Sequence, residues 1–241
     1  MANNLKYGFD LKINIMPTIW IIFGVFMLIS WLIGMRLKSK FKAYSLISIN
    51  NNLSGREVAE RMLRENGVLD VRVISVPGSL TDHYNPVEKT VNLSPEVFNG
   101  RNVAAAAVAA HECGHAIQHA DSYAFLKLRT ALVPIVSFSS KWVQWILLGG
   151  ILALQSFPYL LLGGIILFAL TTLFSFITLP VEINASSRAL VWLTNSGITN
   201  SSTYPKAKDA LKWAAYTYVV AALASLATLL YYISIFSGRR D

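Results

Sequence analysis

The sequence predicts a mainly helical membrane protein, with a small α+β domain fused to about four transmembrane helices. Three observations carry this reading. The chain of 241 residues is 54% hydrophobic and 14% charged, against about 25% charged in a soluble domain. Four uncharged or nearly uncharged stretches reach the roughly 20 residues needed to cross a bilayer. One hydrophilic segment, residues 36–130, is long enough to fold separately. The same composition excludes a disordered chain, and a single cysteine, Cys113, excludes an intrachain disulfide scaffold. On such a chain the formal net charge of +8 reads first as a topology signal. No basic helix or aromatic platform stands out, so no nucleic-acid partner is expected.

The expected spans are residues 15–35, 131–154, 157–179 and 213–236. The second contains Lys141, which must reach the interface or face a polar cavity. Only a short turn separates the second span from the third, so the two form a helical hairpin. Aromatic residues near several ends (Trp142, Trp145, Tyr159, Trp213, Tyr231, Tyr232) suit an interfacial belt. Arg36, Lys38, Lys40 and Lys42 follow the first span where a signal peptide would carry a small-residue cleavage site, and act as a stop-transfer cluster. With the amino terminus outside, 16 of the 21 Lys and Arg fall inside and four outside (Lys6, Lys12, Arg239, Arg240). The hydrophilic segment is therefore expected in the cytoplasm. The organisation is a tail and first helix (1–35), a cytoplasmic domain (36–130), a transmembrane hairpin (131–179), a second cytoplasmic segment (180–212), and a last helix with its tail (213–241).

Within the domain, Ser54 and Glu57 form a capping box, and Asn66-Gly67 stops the helix that it starts. Residues 71–76 read as a strand closed by Pro77-Gly78. Residues 79–84 and 89–93 read as two more, joined by the turn at Asn85-Pro86. Ser94-Pro95 opens a short helix, and an Ala-rich helix runs from about Asn102 to Ala120.

That last helix carries His111-Glu112-Cys113-Gly114-His115, an H-E-x-x-H pattern. Residues at i and i+4 share a helix face, so both imidazoles can reach one Zn²⁺. Glu112 then stands near the metal's open position, where it can take a proton from water. The other reading is a helix whose histidines merely face water. Cys113 lies off the metal face and reads as a packing residue. His119 continues the i, i+4 series, yet three ligands in one helical row fit a tetrahedron poorly, so a surface or supporting role suits it better. The carboxylates after His115 are Asp121, Glu182, Asp209 and Asp241. Asp121 is too close on the same helix, Asp209 sits among lysines, and Asp241 falls outside in the favoured topology. Glu182 follows the third span directly, with Pro180 at the first turn of a new helix. An interfacial cap is the alternative for Glu182.

The stretches Pro77–Tyr84, Ala109–His119, Leu128–Pro134 and Pro180-Val181-Glu182 together resemble the YugP-like membrane-bound neutral zinc metallopeptidases, over nearly the whole chain. More distantly, the layout is similar to the HtpX-type and CAAX prenyl proteases. The resemblance implies a zincin-like α+β metalloprotease domain, a Zn²⁺ cofactor held by His111, His115 and Glu182, and Glu112 as general base. It also implies a multi-pass protein of the bacterial plasma membrane. Those distant relatives carry Asp four residues after the ligand Glu. Here that position is Ser186, so Asn184 or Ser186 itself must brace the site. Arg188 and His83 are candidates to stabilise the developing oxyanion; a topology charge and a water-exposed strand histidine are their plainer readings.

The expected activity is hydrolysis of peptide bonds at the cytoplasmic membrane face, on polypeptides held near the bilayer, in membrane protein turnover. The substrate would pair with an exposed strand edge, expected at 89–93. A non-enzymatic membrane scaffold with a vestigial metal site is the alternative. An intramembrane protease is rejected, because the apolar run ahead of the motif, 103–110, is too short to span.

Overall fold

A computed structural model describes the backbone of residues 2–238 and the side chains of 18–238. In chain order it holds α1 (Ala2–Tyr44), α2 (Gly55–Glu65), β1 (Arg72–Ser75), β2 (His83–Asn85), β3 (Thr90–Leu93), α3 (Pro95–Asn99), α4 (Val103–Ala120), α5 (Ala124–Leu152), α6 (Pro158–Asn195) and α7 (Tyr204–Ser237). Among the described residues, four segments, in α1, α5, α6 and α7, are long and apolar enough to cross a membrane. Each of these helices runs past the apolar stretch that marks it in the sequence. Apolar runs locate the oily part of a helix, whereas helix length follows backbone hydrogen bonding and caps. In α6 this corrects an expectation. Pro180 lies inside the helix and starts no new one; its missing N–H forfeits only the bond to the carbonyl four residues back.

The chain divides into two compact units. One comprises residues 1–32, 131–177 and 218–241; the other comprises 33–130 and 178–217. In the first, α5 and α6 form the hairpin. A Cβ on Gly150 would stand 2.5 Å from Leu161 Cα, so only glycine permits that approach. Val143, Leu147, Leu161, Ile165, Tyr231 and Ile235 form its buried cluster.

In the second unit, α2 starts as its cap chemistry requires. Ser54 N–H donates to the Glu57 carboxylate at 2.6 Å, and Glu57 N–H donates back to Ser54 Oγ at 3.3 Å. Asn102 caps α4 in the same way, accepting from Ala105 N–H at 2.9 Å. The sheet order is β1-β3-β2, with β1 parallel and β2 antiparallel to β3. Two expectations fail here. The segment before His83 is not a strand, because Leu80 takes a left-handed φ of 59° and Asp82 turns its carboxylate to Ser94 N–H at 2.7 Å. Burial outweighs that hydrogen bond and pushes the Asp82 carboxyl up from its ordinary value. In addition, β3 is the central strand with all four residues buried, so 89–93 presents no exposed edge. The parallel β1–β3 pairing joins segments that are not neighbours in the sequence.

Helix α4 is buried along Val103–Ala110. Alanine suits a helix enclosed by neighbours, because it costs no side-chain entropy and lets backbones approach. The closest approach is at Gly114. A Cβ there would lie 2.6 Å from the carbonyl oxygen of Ala185 on α6, so the two backbones touch. Gly114→Ala is expected to cost about 1–3 kcal/mol by overpacking and to force α4 and α6 apart. Thermal melting alongside zinc content per chain checks this: the melting temperature and the metal content should fall together.

Candidate metal centre

The contact between α4 and α6 brings three lone-pair donors together. His111 and His115 project from successive turns of α4, and Glu182 from α6; their ligand atoms lie within 4.8 Å of one another. Glu182 Oε2 stands 3.3 Å from His111 Nε2 and 3.5 Å from His115 Nε2. Ligands bound at about 2.0–2.1 Å around a tetrahedral zinc are about 3.3–3.4 Å apart. Both carboxylate–imidazole separations match that value, and the trio could hold one ion.

The opposite ring nitrogens decide where the protons are. His115 Nδ1 is 3.1 Å from Gln118 Oε1. The Gln118 amide cannot turn round, because its Nε2 donates to the Val181 carbonyl at 2.8 Å and to Asn184 Oδ1 at 2.9 Å. Nδ1 of His115 therefore carries the hydrogen, and Nε2 presents a lone pair. His111 Nδ1 meets Ser186 Oγ at 3.1 Å. Glu182 is 3% exposed, and its Oε2 has no hydrogen-bond donor among the described residues. A buried carboxylate oxygen without a donor, facing imidazole nitrogens, is stabilised by a cation. The electrostatics of His115 point the same way. Burial pulls its value down, but Glu182 and Glu112 outweigh burial and hold it above the ordinary imidazole value. Two histidines and one carboxylate are the three protein ligands of a catalytic zinc site.

Glu112 is buried next to His111. Cys113 is fully buried against the Ala59 carbonyl, with Sγ at 3.5 Å. Burial pushes its thiol well up, so it remains protonated and off the metal face. His119 is exposed and pairs through Nδ1 with the Tyr84 hydroxyl at 2.8 Å, outside the trio. His83 sits exposed on β2, where its Nδ1–H donates to the Thr81 carbonyl at 2.8 Å. Arg188 lies six residues after Glu182, about 120° round α6 at 100° per residue. Its Nε donates to Asn184 Oδ1 at 2.9 Å and its Nη1 to Asp121 at 2.6 Å. Neither His83 nor Arg188 contacts the trio; Arg188 reaches it only through Asn184 and Gln118.

Gln118 is the site residue that the sequence reading missed. Its signal was available, since it stands three residues after His115 and therefore on the same face of α4. Ser186 and Asn184 both occupy bracing positions, one directly on His111 and the other through Gln118.

A family model described as "Putative neutral zinc metallopeptidase" matches residues 19–237. The chain is also similar to "Putative membrane protease YugP" of Bacillus subtilis (strain 168), at 44% identity over 206 residues, 86% of this chain and 91% of that protein. No solved structure matches the chain.

Glu182→Ala should empty the site, whereas His119→Ala should leave zinc in place; metal content per chain separates the two. Gln118→Leu should weaken zinc binding about 10–100-fold while leaving all three ligands. Competition against a chelator of known affinity measures that loss. Undiminished affinity would show that the amide does not hold the His115 ring.

Proposed function

Because the chain belongs to the neutral zinc metallopeptidase family, whose model spans residues 19–237, we propose that it is a zinc-dependent, membrane-bound endopeptidase with a zincin-like catalytic domain, working at the cytoplasmic membrane face. The observation that carries this is the Glu182 oxygen standing 3.3 and 3.5 Å from two imidazole nitrogens, with Glu112 beside them. His111, His115 and Glu182 would hold the ion. Zinc in such a site polarises a carbonyl and lowers the pKa of water.

The protein's own groups do the rest. Glu112 accepts a proton from the attacking water and passes it to the departing amide nitrogen as the C–N bond breaks. Gln118 and Ser186 hold the two imidazoles in their metal-facing orientation. The strand that receives an extended peptide is β2. It has one neighbour in the sheet, and Tyr84 ties it to α4 at His119, so its outer edge runs beside the metal helix and can add a strand. His83 lies on that edge, exposed to an incoming chain.

Substrates are polypeptide segments near the bilayer. Glu182 stands three residues after Leu179, the end of the expected third span, so the site is close along the chain to a membrane segment. The cytoplasmic placement rests on the 16 Lys and Arg that this topology puts inside, and turnover of membrane proteins is the role that fits both.

Glu112→Gln tests the reading. Glutamine keeps the shape and cannot take the proton, so zinc content should be unchanged and cleavage of an unfolded reporter should fall by at least about 10²-fold. A variant that keeps turning over would remove the general base and the proposal with it.

A further inference from the structure

Tyr84 and His119 form a contact that neither metal binding nor the proton transfer by Glu112 uses. The Tyr84 hydroxyl on β2 lies 2.8 Å from His119 Nδ1 on α4, and the two ring centroids are 5.9 Å apart. Helical geometry tells which flank of α4 this is. At about 100° per residue, His119 comes within about 20° of Glu112 round the helix axis, seven residues on. Gly114 and Gln118 meet α6 at Ala185, Val181 and Asn184; they lie about 160° and 120° round from Glu112. Glu182 arrives with α6. The flank of α4 that α6 leaves free is therefore that of Glu112 and His119, and β2 stands against it.

The pair also stands at the open end of the site. His111 and His115 are partly buried and Glu112 is buried, whereas His119, one turn beyond His115, is exposed. Long side chains on a helix lean toward its N-terminus, so the His119 ring lies back over the turn of His115. Tyr84 is half-buried. Burial, with a smaller contribution from the Asp70 carboxylate, raises its phenol above the ordinary tyrosine value, so the hydroxyl keeps its hydrogen at neutral pH. In its Nδ1–H tautomer His119 donates to the phenol oxygen, which leaves the hydroxyl hydrogen free for another acceptor and polarised by the bond it receives. His83, the preceding residue on β2, points to the opposite face of the strand and spends its Nδ1 hydrogen on the Thr81 carbonyl.

We propose that Tyr84 is a catalytic residue, which donates its phenolic hydrogen to the scissile carbonyl oxygen as that oxygen becomes an oxyanion, and that His119 is the residue that positions it. This assignment rests on the peptidase reading above. Attack by water on the carbonyl carbon places negative charge on its oxygen. A donor aimed there strengthens most in the transition state, where the charge has developed, and little in the bound peptide. The O–H bond of Tyr84 stays whole throughout, since Glu112 carries the proton from water to the departing amine. The location on β2 links two tasks. The strand whose edge can receive the peptide also carries the donor for the bond to be cut, so register and transition-state stabilisation are set by one element.

The test uses the full, zinc-loaded chain and two probes of the same sequence. One is a phosphinic peptide, whose tetrahedral anionic group imitates the attacked carbonyl. The other is the parent peptide, bound in the Glu112→Gln background so that it stays uncut. Adding Tyr84→Phe should weaken the phosphinic peptide at least about tenfold and lower kcat about 10²-fold. Zinc content should be unchanged, and the Kd of the parent peptide should move by less than about twofold. His119→Ala should lose part of the same discrimination, and His119→Asn, whose amide N–H can stand where Nδ1–H stood, should restore it. A Tyr84→Phe protein that binds both probes and cuts as wild type does overturns the proposal. So does a parallel weakening of both probes, or a loss that tracks zinc content, since the contact would then only fasten β2 to α4. If zinc-loaded wild type binds neither probe and cuts nothing, the peptidase reading itself has failed and this assignment falls with it.

Discussion

The structure around the metal centre depends on one contact, the touching backbones of α4 and α6 at Gly114 and Ala185. The two histidines come from one part of the chain and the carboxylate from another, with the whole helical hairpin between them. A side chain as small as a methyl group at Gly114 would hold the helices apart by a sizeable fraction of a metal–ligand bond, and ligand distances tolerate only about 0.2 Å. The alanines that precede the motif serve the same end. They let α4 lie buried among α2, α3 and the sheet, which fixes the helix that carries His111, Glu112 and His115.

Once the helices touch, the remaining requirement is that the lone pairs face inward. Each imidazole is anchored at its far nitrogen, His115 by Gln118 and His111 by Ser186. The Gln118 amide is itself fixed twice, by Val181 and Asn184. Those two residues flank Glu182 on α6, so the helix that presents the carboxylate also orients a histidine on the opposite helix. A shift of α6 would thus move all three ligands together. Positioning is shared between the helices, which makes the site a property of their packing.

How much of this could be read in advance depended on range in the chain. The pair His111 and His115, the base Glu112, and the caps at Ser54 and Asn102 are local patterns set by helical periodicity, and the sequence displays them. Glu182 was reachable because few carboxylates follow the motif, together with a family resemblance. The strand order was not legible: β1 and β3 pair in parallel across the intervening β2, a choice made by burial on the finished sheet. The left-handed turn at Leu80 and the uninterrupted passage of α6 through Pro180 were hidden for a related reason. Local propensity argues for a strand and a break there, and tertiary contacts outweigh it. Gln118 was missed because glutamine has no strong motif of its own; its role appears only when α6 supplies partners for its amide.

The bracing groups also settle a charge balance. With zinc bound, Glu182 contributes one negative charge and the buried Glu112 another, which together match the ion. Net charge in a buried site is costly, so any further carboxylate would have to be offset or protonated. Both braces in this chain are neutral, an amide on His115 and a hydroxyl on His111. An aspartate beside an imidazole makes the ligand more basic and feeds electron density to the metal. A hydroxyl and an amide orient the rings without that donation, so the ion keeps more of its acidity. Ser186 and the twice-anchored Gln118 therefore hold the rings by geometry alone.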